Sequence, residues 1–124
     1  MVSYRNRNII CTSEVTLGLI SGKWKPLILG YLSDNTYRFN ELQKLMPAIT
    51  QKMLTIQLRD LENDGLIKRK VYAVVPPKVE YSLTELGERL VQFLDQLCEF
   101  GVDYMQQFPD AASNPAPGAA VNKQ

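Results

Sequence analysis

The sequence predicts a mostly α domain with one small β-ribbon, an α+β fold of a single unit. Three observations carry that class. Apolar residues recur at helical spacing in several short segments and in one long segment near the end. Residues 50–66, TQKMLTIQLRDLENDGL, form an amphipathic stretch with a polar, basic start and a glycine stop. Residues 67–83, IKRKVYAVVPPKVEYSL, place Val- and Tyr-rich runs on either side of a Pro-Pro bend, a strand–turn–strand pattern.

The elements follow in order. Residues 1–10 are read as an N-terminal arm with no assigned element, and residues 11–108 as the folded domain. Thr12 or Ser13 can cap a short helix over 14–20, with Val15, Leu19 and Ile20 as its apolar side and Gly22 closing it. WKPLILGYL (24–32) is a second helix. Pro26 fits its first turn, where a missing N–H costs nothing, and Leu27, Ile28, Tyr31 and Leu32 are expected to face inward. Residues 33–36 (SDNT) have turn chemistry.

FNELQKLM (39–46) carries apolar residues at 39, 42, 45 and 46, a helical spacing that Pro47 ends. After the short turn 47–49, Thr50 is a suitable N-cap. Leu54, Leu58 and Leu61 then fall at i, i+4 and i+7, with Met53 beside them as part of the expected buried stripe. Gly65 supplies the left-handed residue that stops the helix. Two short helices joined by a tight turn, the second amphipathic, is helix-turn-helix grammar.

Strands are expected over 66–75 and 78–83. Pro76 and Pro77 cannot donate in a ladder and so belong at the exposed tip. A helix pair followed by such a ribbon is the order of a winged helix-turn-helix domain. Thr84 caps a final long helix to about residue 107. Its apolar residues Leu86, Leu90, Phe93, Leu94, Leu97, Cys98, Val102 and Met105 cover more surface than one core face needs. Residues 109–124 have almost nothing to bury and are expected to be a disordered tail.

Composition narrows the function. The chain has 124 residues, 45% hydrophobic and 22% charged, ordinary for one globular domain. The net charge of +1 is uninformative, but its distribution is not. Residues 1–82 hold 12 Lys+Arg against 7 Asp+Glu, whereas 83–108 hold Arg89 against Glu85, Glu88, Asp95, Glu99 and Asp103. A basic front suited to phosphates thus precedes an acidic rear helix. No run approaches the ~18 apolar residues of a membrane span, and the start lacks a secretory apolar core, so a cytoplasmic location and no membrane partner are expected.

The chain has two cysteines, no CxxC and no histidine, which argues against a structural zinc site or a disulfide framework; no metal and no cofactor are expected. The same absence removes the usual general base. No Gly-rich phosphate loop or nucleophile–base pair is present, and Asp60, Glu62 and Asp64 have the pattern of a solvated helix edge, so an enzyme is not expected.

Outside the leucine stripe, the helix that starts at residue 50 displays Thr50, Gln51, Lys52, Thr55, Gln57 and Arg59. Gln pairs with adenine edges, Lys with guanine, and Thr with a thymine methyl or a phosphate. The ribbon adds Lys68, Arg69, Lys70 and Lys78, and Arg38 at the start of the preceding helix is a further candidate for backbone contact. The alternative is a winged-helix module that binds protein without DNA sequence specificity. Such a module would display apolar or acidic residues on this face, where only Ile56 is apolar and open to exposure.

Three stretches resemble the HxlR-type winged helix-turn-helix regulators, relatives of the MarR group: GKWKPLILGYL, the run RFNELQKLMPAITQKMLTIQLRDLENDGLIKRKVYAVVPPKVEYSLTELG, and LCEFG. The resemblance runs from about residue 11 to residue 107. It implies a bacterial, cytoplasmic homodimer on a pseudo-palindromic double-stranded DNA operator, with the helix from Thr50 in the major groove and the ribbon on the flanking groove. Repressors and activators both occur in the family.

The dimer has a second support in the surplus apolar surface of the last helix, which a partner copy would cover with help from Val15 and Leu19; the alternative is that the surplus packs on residues 24–32 of the same chain. Two recognition helices would then lie roughly 34–36 Å apart, one turn of B-DNA. Some relatives carry a sensing cysteine at the position of Cys11. Helix N-terminal amides, with Arg5 and Arg7 nearby in sequence, could lower its pKa and make it responsive to an oxidant or electrophile as the effector. The other reading of Cys11 is a small packing residue. Cys98, within the last helix, is read as a packing residue.

Overall fold

The computed structural model describes residues 2–110. Nine elements follow in order: β1 (Val2–Tyr4), β2 (Arg7–Ile9), α1 (Ser13–Leu19), α2 (Trp24–Asp34), α3 (Phe39–Leu45), α4 (Gln51–Asn63), β3 (Ile67–Tyr72), β4 (Lys78–Leu83) and α5 (Glu85–Gln107). They form five helices and two separate antiparallel two-stranded sheets, β1–β2 and β3–β4. Of the expected tail over 109–124, only Pro109 and Asp110 are described, and neither belongs to an element; the rest lies outside the described residues.

The core is aliphatic. Ile28, Leu29, Leu42, Leu54 and Leu61 have no solvent exposure, and Leu58, Leu66 and Ile67 close the space between α4 and the ribbon. Leu90, Val91 and Leu94 bring α5 onto the same cluster. Among the described residues no polar or charged side chain is buried. Any chemistry of binding is therefore displayed on the surface.

Local bonds fix the helix-turn-helix. Gln43 Nε2 donates to the Ile49 carbonyl at 2.6 Å, and Ile49 itself is buried, so the turn is held from both sides. Thr50 caps α4 by accepting from Met53 N–H at 3.0 Å. At the far end Gly65 has φ +78°, and Leu66 N–H reaches the Leu61 carbonyl while Gly65 N–H reaches that of Glu62. This is the Schellman pattern, and glycine enters the left-handed region without steric cost. Tyr37 exchanges both backbone bonds with Tyr81, which ties the α2–α3 link to β4.

The α4 stop, the ribbon and α5 meet at one knot. The Leu66 carbonyl accepts from Thr84 N–H at 3.1 Å, and Thr84 Oγ1 donates to the Gly65 carbonyl at 2.6 Å. Thr84 Oγ1 also accepts from Gly87 N–H at 3.1 Å, capping α5. Gly87 lies against the Leu66 carbonyl so closely that a Cβ there would collide with backbone.

Several expectations are corrected. Residues 2–9 of the arm form a hairpin whose turn residues Arg5 and Asn6 have φ +49° and +61°, both positive as a type I′ turn requires. Its Ile9 is buried. β3 is shorter than 66–75: Leu66 belongs to the helix stop, and 73–77 form the tip, with Val75 fully exposed. α2 continues through Ser33 and Asp34, with Ser33 Oγ bonded back to the Gly30 carbonyl in its last turn. Leu29 is a core residue, while Leu27 and Tyr31 are half-buried. Met53, expected in the buried stripe, is exposed, as is Leu45 of α3.

The knot at Gly87 gives a direct test. Gly87→Ala gains helix propensity but must push backbone apart, so it should destabilise the fold by about 1–3 kcal/mol or more. The thermal midpoint should fall, and an unchanged or raised midpoint would contradict the close approach.

Candidate nucleic-acid interface

The polar face of α4 narrows once side-chain partners are known. Thr50 is occupied by its cap. Thr55 Oγ1 donates to the Gln51 carbonyl at 2.9 Å, and Gln57 Nε2 to Met53 Sδ at 3.2 Å; both side chains are half-buried. Gln51, Lys52 and Arg59 remain exposed, with Gln51 and Lys52 on the first turn of the helix. Met53 and Ile56 are also exposed and add apolar contact surface of the kind that meets a thymine methyl. Met53 was assigned to the core because it adjoins the leucine stripe; periodicity does not resolve a residue at the edge of a face.

Strand register sorts the ribbon. Lys68, Lys70 and Tyr72 stand opposite Ser82, Glu80 and Lys78, and these six share one face. Arg69 stands opposite Tyr81 on the other face, exposed but apart from the three lysines. The lysine face is internally organised. Lys70 and Lys78 Nζ each lie 4.9 Å from the centre of the Tyr72 ring, a cation–π distance. Tyr72 OH donates to Glu80 Oε1 at 2.8 Å, and Lys78 Nζ lies 3.3 Å from Glu80 Oε2.

The Glu80 carboxyl is held below the usual carboxylate range, first by the Tyr72 hydroxyl, then by the bond and charge of Lys78 and the charge of Arg38. Lys78 is thus paired within the chain rather than free. Arg38 itself is exposed at the start of α3, where its backbone N–H donates to Glu41 Oε1 at 2.8 Å.

Cys11 is exposed just before α1. Its Sγ accepts from Ser13 Oγ at 3.1 Å. The thiol pKa is lowered, chiefly by that hydroxyl and then by the Ser13 backbone N–H, against burial and the charge of Glu14, which raise it. The two arginines do not act as expected: Arg7 lies 3.9 Å from Glu14 and Arg5 lies 3.8 Å from Asp64, so each is engaged by a carboxylate. Glu14 also accepts from the Ile10 and Cys11 backbone N–H groups.

On α5, Leu90 and Leu94 belong to the chain's own core and are not free for a partner, a correction to their assignment. Leu86, Phe93, Leu97, Cys98, Val102 and Met105 are exposed, while Val15 and Leu19 on α1 are half-buried. Phe100, Tyr104 and Phe108, absent from the sequence assignment, extend the exposed apolar surface; their rings stand 6.3 and 5.0 Å apart. Their i, i+4, i+8 spacing was the signal available for them. Among the described residues no helix is long and apolar enough to cross a membrane.

A capped helix with an exposed polar start, held at a fixed turn from a preceding helix and flanked by a lysine-bearing ribbon, defines a winged helix-turn-helix protein. Residues 19–109 match the family described as HxlR-like helix-turn-helix. The HTH-type transcriptional regulator YdeP of Bacillus subtilis is 54% identical over 94 residues, 76% of this chain and 73% of the relative. The structure of the redox regulator HypR in its reduced form has a TM-score of 0.75 at 47% identity, covering 79% of this chain and 97% of that one. The oxidised form of HypR gives a TM-score of 0.70 at 50% identity, over 75% and 96%. The chain belongs to the HxlR-like helix-turn-helix family and is a transcriptional regulator, not an enzyme.

The thiol geometry carries its own test. In a Cys98→Ser background, the pH dependence of iodoacetamide alkylation should place Cys11 below an unperturbed cysteine thiol measured alongside it, and Ser13→Ala should move it upward. A titration unchanged by Ser13→Ala would show that the hydroxyl does not tune the thiol.

Proposed function

We propose that the protein is a sequence-specific DNA-binding regulator that acts as a homodimer on a pseudo-palindromic operator. The observation that carries this reading is the exposed pair Gln51 and Lys52 on the first turn of a capped, well-anchored α4. The N-terminal turn of a recognition helix is where base edges are read, and the helix dipole there favours phosphate. Lys68 and Lys70 on one face of the ribbon, with Arg69 on the other and Arg38 at the start of α3, supply backbone contacts that orient the helix. Thr50, Thr55 and Gln57 play a supporting part, since their side chains already have partners.

The partner copy covers α5. Leu86, Phe93 and Leu97 with Cys98, Val102 and Met105 form the exposed apolar surface, extended by Phe100 and Tyr104 and flanked by Val15 and Leu19. Apolar side chains exposed on this scale along one helix favour association in water.

Cys11 is the proposed sensor. It is exposed and its thiol pKa is lowered by the Ser13 hydroxyl, both of which favour reaction with an oxidant or soft electrophile. The likeness to HypR, a redox regulator with oxidised and reduced forms, supports that role. The protein works in the cytoplasm, where regulated DNA and a reducing pool coincide.

Gel shifts on the DNA flanking the protein's own gene test the binding face. Lys52→Ala and Gln51→Ala should each cost about 1–3 kcal/mol on the operator, with Gln51→Ala also relaxing base preference. Unchanged shifts would put the interface elsewhere. Sedimentation tests the dimer: Phe93→Asp with Leu97→Asp should give a folded monomer, and a persisting dimer would exclude this face of α5.

A further inference from the structure

Glu80 is the one acid in the ribbon span 67–83, against Lys68, Arg69, Lys70 and Lys78. An acid on a strand that faces phosphate lowers affinity, and glutamate is depleted in strands. It is not placed for the core, since Glu80 is only half-buried. It is nevertheless held in one place. Tyr72 OH donates to one carboxylate oxygen at 2.8 Å, and Lys78 sits 3.3 Å from the other. Lys70 is its direct cross-strand partner, and the charge of Arg38 reaches it. The tyrosine that fixes the acid also carries both Lys70 and Lys78 against its ring.

We propose that Glu80 is a specificity-determining residue, an internal counter-anion that occupies the cations of the wing until a correctly placed DNA phosphate displaces it. The inference rests on the reading that this ribbon contacts DNA. A random duplex meets a wing in which Lys78 is already paired with Glu80, so its phosphates gain little there. On the operator, α4 fixes the register and brings a phosphate to the same cations at high effective concentration. Exchange of the carboxylate for the phosphate then becomes favourable. Tyr72 keeps Glu80 and the two lysines in register, so the exchange needs no refolding of the ribbon.

The test uses the full chain and a fluorescein-labelled duplex of random sequence, with affinity measured across a salt series. Glu80→Gln should steepen the plot of log K against log salt by about one unit, and so tighten binding about tenfold near 0.1 M salt. In a Lys78→Gln background the same substitution should steepen it much less, because the released cation is gone. Glu62→Gln, an equal charge change at an exposed acid of α4 that is in no ion pair with a wing cation, should move neither value.

A Glu80→Gln slope equal to wild type, or an equal effect from Glu62→Gln, overturns the proposal. Lys68→Ala on the same duplex separates this from the reading beneath it. If Lys68→Ala weakens binding while Glu80→Gln is silent, only the role of Glu80 falls. If Lys68→Ala has no effect, the wing does not contact DNA and the proposal falls with it.

Discussion

The close approach of Gly87 to the Leu66 carbonyl is the constraint on which the rest of the structure depends. At that point the end of α4, the start of β3, the end of β4 and the start of α5 share a few bonds: Thr84 caps α5 and donates to Gly65 and Leu66. Leu66 and Ile67 are buried beneath them, so the knot is apolar below and hydrogen-bonded above. The left-handed Gly65 turns the chain out of α4, and the missing Cβ at Gly87 lets α5 settle onto that turn. The direction of α4, the reach of the ribbon and the line of α5 are therefore set together.

That coupling suits a protein whose surface does the binding while its interior only holds shape. The core contains no buried polar side chain among the described residues, so no internal site competes with packing. The charged groups are arranged outside it in small closed sets: Lys25 with Asp60, Arg7 with Glu14, Arg5 with Asp64, and Lys78 with Glu80. Exposed pairs of this kind add little to stability. Their consequence is to decide which cations remain available, and on the α4 face and ribbon those are Lys52, Arg59, Lys68, Arg69 and Lys70.

Much of this was legible in the sequence. Leu54, Leu58 and Leu61 at helical spacing, the Thr50 cap, the Gly65 stop and the Pro76-Pro77 tip each act locally, and local chemistry is what a sequence displays. The recognition helix and the ribbon followed from them. What escaped depends on contacts between distant residues. Gly87 looks like a weak helix former until the Leu66 carbonyl is placed beside it. Leu90 and Leu94 cannot be told from Leu86 and Phe93 by periodicity, because a helix apolar on two faces does not say which one meets its own core. Arg5 and Arg7 neighbour Cys11 in sequence, yet their charges are taken up by Asp64 and Glu14, and a serine hydroxyl tunes the thiol instead. Arg69 sits among three lysines in the chain and on the opposite face of the ribbon, a separation that only strand register shows.

The proposed binding face on α4 and the proposed dimer face of α5 would together give one arrangement on DNA: two copies of α4 held one turn apart by a two-fold axis. Hydroxyl-radical footprinting of the DNA flanking the protein's own gene measures that arrangement directly. Two equivalent protected segments are expected, centred roughly 10–10.5 bp apart or a multiple of it, both lost with Lys52→Ala. A single asymmetric protected segment, or protection that survives Lys52→Ala, would contradict it.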